Sequence, residues 1–135
     1  MGNVSITKNN DINMAVYSFE GDTAYDGIRE EIDRYYSGPL SKYKICDFTK
    51  SDLSVSSREV VLLAEQIRLR GRARRGCYDA IVVPSLLYYG FARMYVAYAE
   101  YTHKDPEALK ILIFRSMDQA VAAMTKLAAE AALKT

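Results

Sequence analysis

Hydrophobic and polar positions alternate in two short runs at the start of the chain. Val4 and Ile6 flank Ser5, then Asn9, Asn10 and Asp11 supply turn chemistry, and residues 12–20 alternate again. This predicts a strand, a hairpin turn and a second strand. In the second run Ala15, Tyr17 and Phe19 share one face, while Met14 and Val16 share the other. With apolar groups on both sides, that strand is predicted to be central rather than at an edge. The period then changes from two to 3.6. Tyr25, Ile28, Ile32, Tyr35 and Tyr36 recur at helical spacing behind Thr23, a candidate cap with Asp26 three positions on, and Gly38-Pro39 stops the helix.

From there strands and helices alternate. Residues 42–48 read as a strand. Ser56-Ser57-Arg58-Glu59 is a capping box, opening a helix with Val60, Leu63 and Ile67 on one face and Gly71 at its end. Residues 78–83 (YDAIVV), bounded by Gly76 and Pro84, form the most strand-like run, apolar enough to be buried on both faces. Ser85 caps a long helix reaching about residue 101. Residues 110–114 make the last strand, and Ser116 with Gln119 forms a third capping box before an alanine-rich helix. The predicted order is ββαβαβαβα. Strict alternation after a hairpin implies a mostly parallel sheet with helices packed on it, in a single α/β domain spanning residues 1–135.

Composition narrows the class. At 135 residues, 50% hydrophobic and 26% charged, the chain has the make-up of one soluble globular domain. No apolar run is long enough to span a membrane and no secretory signal is visible, so a cytoplasmic protein is expected. Cys46 and Cys77 have no metal-like spacing, and Cys46 reads as a small buried thiol. The net charge of +1 argues against a whole-protein nucleic-acid binder. That total conceals a cancellation. Residues 1–41 hold three Lys/Arg against seven Asp/Glu, residues 42–76 nine against four, and residues 77–135 six of each. Such an asymmetry can orient docking or self-association.

The opening hairpin followed by strand–helix alternation resembles the STAS domain of bacterial anti-sigma-factor antagonists. Ile45-Cys46-Asp47-Phe48 followed by Ser56-Ser57 is similar to that family's motif, in which a strand ending in Asp leads to Asp-Ser-Ser-Gly at a helix start. Here Val55 and Arg58 replace the motif's Asp and Gly. A closer resemblance is to small SpoIIAA-like bacterial proteins, related by fold to CRAL-TRIO lipid-transfer domains. It rests on Tyr89-Gly90-Phe91-Ala92-Arg93-Met94 and Ile113-Phe114-Arg115. The resemblance implies a STAS-like fold, and a regulatory or protein-interaction role in which Ser57 is a candidate phosphorylation site and Ser56 and Asp47 belong to a docking edge. A phosphate on Ser57 would meet helix N-terminal amides and the positive end of the helix dipole. Read from the residues alone, Ser56 is the cap of a capping box, and Asp47 bonds the amides of the loop that follows.

Two further constellations stand out. Arg68, Arg70, Arg72, Arg74 and Arg75 place five guanidinium groups in eight positions. They are a candidate anion-binding patch, or cations complementing a helix C-terminus. On the helix after Pro84, Leu87, Phe91, Met94, Tyr98 and Tyr101 step by four and three and read as its core face. Tyr88, Ala92, Tyr95 and Ala99 form a neighbouring row, with Arg93 opposite. So wide an apolar surface must cover more than one neighbour. The candidates are the rest of the domain, a second subunit at Tyr88, Phe91, Arg93, Tyr95 and Tyr98, or a small apolar ligand in a pocket beside Tyr88 and Tyr95.

Catalytic signals are thin. His103, the single histidine, falls near that helix's C-terminus, where it complements the dipole, and no phosphate-binding or nucleophile motif occurs. No metal, cofactor or catalysis is therefore expected. A protein-interaction module that forms a homodimer is the first reading, and a carrier or sensor of a small apolar or lipid-like ligand is the alternative.

Overall fold

The computed structural model describes residues 2–100 and 105–134. Tyr101 and His103 lie outside the described residues. The chain forms β1 (Asn3–Asn9), β2 (Met14–Ala24), α1 (Tyr25–Ser37), β3 (Tyr43–Ser54), α2 (Ser57–Arg70), a 3-10 turn (Gly71–Arg74), β4 (Tyr78–Val82), α3 (Leu86–Glu100), β5 (Lys110–Phe114) and α4 (Met117–Leu133). The predicted α/β order is the observed one.

The strands lie in the order β1-β2-β3-β4-β5. β1 and β2 are antiparallel, and every later pair is parallel. Asn13 takes the left-handed conformation (φ 56°) in the hairpin turn, which an asparagine tolerates. Each later crossover steps the same way along the sheet. A fixed crossover hand therefore brings α1, α2 and α3 to one face. α4 covers the other, where Ala120 and Met124 pack on Met14, Tyr43, Ile45, Ala80 and Val82. β2 and β4 are both interior strands, as their two-sided apolar pattern predicts.

Three local expectations are corrected. Thr23 does not cap α1. It lies in the extended end of β2, its hydroxyl donating to the Gly21 carbonyl (3.1 Å) and accepting from Ser51 (2.7 Å), and the helix starts after Ala24 with no side-chain cap. β3 runs to Ser54 rather than stopping at Phe48. An irregularity in its pairing with β2 lets it continue beyond the end of β4. At α4 only half of a capping box forms, with Ser116 Oγ accepting from Gln119 N (3.2 Å).

The largest correction concerns α3. Its buried residues are Ala92 and Ala99, which belong to the row expected to be secondary. Leu87, expected in the core, is 67% exposed and Tyr98 is 49% exposed. The physical reason is steric. Ala99 packs with Ala64, Leu63 and Ile67 of α2, and only small side chains let two helices approach so closely. Periodicity finds an apolar arc but not which part of it is turned inward.

Candidate functional site

Between the sheet and helices α1, α2 and α3 lies a cavity of about 100 Å³, partly open to solvent. Strand register builds its floor. Lys44 of β3 is level with Asp79 of β4, and one step along Cys46 is level with both Tyr17 of β2 and Ile81 of β4. One row of the floor is therefore charged and the next is apolar or aromatic. Leu63 of α2 and Tyr88, Phe91 and Tyr95 of α3 form walls, so the aromatic helix does line a cavity beside Tyr88 and Tyr95. Tyr88 also fixes α3 to the β3 extension, its hydroxyl accepting from the Leu53 amide at 3.0 Å.

A buried polar network closes the charged end. Arg74, on the 3-10 turn, is fully buried and forms an ion pair with Asp79. The same guanidinium donates to the carbonyls of Ser41 (3.1 Å) and Tyr78 (3.3 Å) and stacks 5.1 Å from the Tyr35 ring. Tyr35 completes the link by sharing a hydroxyl contact of 2.9 Å with Ser41. Glu31 of α1 is 7% exposed and lines the cavity. Its Oε1 accepts from Arg34 at 2.8 Å, while its Oε2 is buried with no hydrogen-bond partner among the described residues. Lys44 is 4% exposed, its ammonium 4.2 Å from the Tyr35 ring centre and 5.3 Å from that of Tyr17. Burial pushes the Cys46 thiol and the Tyr95 hydroxyl upward, so both are held neutral.

Nothing in the composition of the chain pointed to Glu31, Lys44 and Asp79, yet a signal existed. Lys44 has the same strand parity as Cys46 and Phe48, so an inward-facing cation was legible once that face was known to be covered.

The other candidates are dispersed. Asp47 points to the opposite side of β3, where its Oδ1 accepts from the Thr49 amide (2.9 Å) and hydroxyl (2.7 Å). This is the local bonding anticipated for it, although within a longer strand. Ser56 and Glu59 form the complete capping box, at 3.1 and 2.8 Å, and Ser57 is exposed in the first turn of α2. Ser56→Ala should lower the unfolding free energy by about 1 kcal/mol in urea titration, whereas Ser57→Ala, whose side chain is no cap, should leave it nearly unchanged.

The arginines divide by environment. Arg70 pairs with Asp33 (2.7 Å), Arg74 is the buried partner of Asp79, and Arg75 pairs with Asp105 (2.7 Å). Arg68 is half-buried and Arg72 exposed. Arg93 is exposed on α3. Among the described residues no group of three or more His, Cys, Asp or Glu is placed to hold a metal ion, and no helix is long and apolar enough to cross a membrane.

An opening hairpin, three parallel crossovers and a closing helix make this a SpoIIAA-like, STAS-type fold. Solved structures share it along most of their length. An uncharacterised Shewanella loihica protein with a SpoIIAA-like fold aligns over 91% of this chain and 93% of its own, with TM-score 0.55 at 13% identity. An anti-sigma factor antagonist from Mycobacterium paratuberculosis aligns over 93% and 95%, with TM-score 0.56 at 12% identity. The anti-sigma factor antagonist SpoIIAA in its unphosphorylated form aligns over 92% and 98%, with TM-score 0.54 at 11% identity. Neither a family model nor a curated protein matches the sequence.

Proposed function

We propose that this chain is a non-catalytic, cytoplasmic regulatory module that acts by protein–protein docking, and that the outward face of α3 is where a second copy of the chain binds. The observation that carries this reading is the exposure of Leu86 (77%), Leu87 (67%) and Tyr98 (49%) along one side of a single helix. Burying such side chains is worth roughly 1.5–3 kcal/mol each. Gly90 supports a helix as the occupant. It is exposed in mid-helix, where glycine costs about 1 kcal/mol relative to alanine, and a Cβ there would meet nothing within 4 Å. Close approach of a partner helix gives that glycine a use, and a largely apolar face flanked by the exposed Arg93 and Glu100 suits self-association about a two-fold axis. The exposed start of α2 at Ser57 is a second edge, available to a different protein. The anti-sigma factor antagonists among the structural neighbours support a partner of that kind.

Sedimentation velocity at several concentrations is the test. A dimer is expected, and Leu87→Asp should weaken it at least ~10-fold. A wild-type protein that stays monomeric throughout overturns the self-association.

A second reading, as the carrier or sensor of a small ligand, is favoured by the cavity between the sheet and α1, α2 and α3. It needs no dimer, because the cavity walls are the chain's own.

A further inference from the structure

We infer that the cavity receives a short monocarboxylate, its apolar body against Tyr88, Phe91 and Tyr95 and its carboxylate on the Lys44 ammonium. The inference rests on the reading of the cavity as a ligand chamber and specifies the chemistry of its occupant. Three charged residues line the cavity, and two of them have partners. Glu31 is paired with Arg34 and Asp79 with Arg74. Lys44 is level with Asp79 in the sheet, but that carboxylate is engaged by the buried guanidinium, and no described residue forms an ion pair with Lys44. Its company is two aromatic ring faces, which attract a cation but offer it no hydrogen-bond acceptor. A lysine that is 4% exposed and has no ion-pair partner among the described residues is a costly feature for a domain core to keep. An anionic ligand supplies what is missing.

The same groups limit the ligand. The uncompensated charge is a single positive one, and the bare Oε2 of Glu31 disfavours a second negative charge nearby. A carboxylate therefore fits better than the dianion of a phosphate monoester. Cavities on the order of 150 Å³ hold benzene. A space of about 100 Å³ suits a body of a few carbon atoms, and the partial opening lets a longer tail emerge.

The test uses three probes of one chain length, hexanoate, hexanol and hexylamine, each titrated into the isotope-labelled protein and followed by amide chemical shifts. Saturable shifts at Lys44, Cys46, Tyr88 and Tyr95 are expected with hexanoate. Binding of hexanol should be at least ~10-fold weaker, the scale of a lost charge-assisted hydrogen bond, and hexylamine should not bind. In Lys44→Met, hexanoate should fall to the affinity of hexanol, with hexanol unchanged. Equal binding of hexanoate and hexanol to the wild-type protein would overturn the anion inference while leaving the chamber reading intact. No saturable binding by any probe would overturn both. The comparison of probes on the unaltered protein decides the matter even if the variant does not fold.

Discussion

Arg74→Met is expected to lower the unfolding free energy by about 3–5 kcal/mol, the cost of breaking a buried ion pair from one side. That is a large share of the 5–15 kcal/mol typical of a domain. The substitution leaves the Asp79 carboxylate buried without its cation, and it removes the donors that serve the Ser41 and Tyr78 carbonyls. Asp79→Asn should cost less, since an amide retains the shape and an oxygen acceptor. Restoring complementarity in the double variant Arg74→Met/Asp79→Leu should recover much of the loss, because an apolar pair no longer strands a charge. Arg72→Ala, at an exposed position two residues away, should barely move the urea midpoint. An Arg74→Met midpoint equal to that of Arg72→Ala would contradict the assigned network.

The second large effect is alkaline unfolding. Burial, with Asp79 adding to it, raises the Tyr95 and Tyr36 hydroxyls above their ordinary value near 10, and Arg74 opposes the rise. Burial also raises Tyr17, Cys46 and Cys77. These are acids held in their neutral form by the fold. Above the unfolded-state value the unfolded chain loses the proton and the native chain keeps it, so stability falls as pH rises. The tyrosine contribution is fully present below about pH 9 and declines from about pH 10 upward, whereas that of the thiols is fully present only below about pH 8. Each of these tyrosines steepens the decline by up to about 1.4 kcal/mol per pH unit. Urea titrations from pH 7 to 11 should therefore show a plateau followed by a fall. Tyr95→Phe should make that fall shallower, although it costs some stability at neutral pH. A slope unaffected by Tyr95→Phe and Tyr36→Phe would place the alkaline transition elsewhere.

Both effects belong to residues that stood in the sequence under other descriptions. Arg74 was one of five clustered arginines, and nothing in their spacing distinguishes the one that is wholly buried from its exposed neighbour Arg72. The distinction arises because the 3-10 turn directs Arg74 beneath α1, where Asp79, Ser41 and Tyr35 converge from three separate segments. Tyr95 lay in a helix row recognised as apolar, but its enclosure follows from the approach of α3 to α2. The capping box at Ser56 was fully readable, because its partners are three residues apart. The local bonding of Asp47 was readable for the same reason.

Local patterns along the chain suffice for the order of elements, the opening hairpin, the parallel alternation and the interior places of β2 and β4. These depend on side-chain periods and on turn and cap chemistry, which act over a few residues. Packing between distant segments sets which row of α3 faces inward, where β3 ends, which arginine carries a buried charge, and that Lys44, Asp79 and Glu31 meet at one cavity. Those outcomes depend on how closely helices approach and on which strands lie level. Distant segments set both jointly, so no local pattern records them.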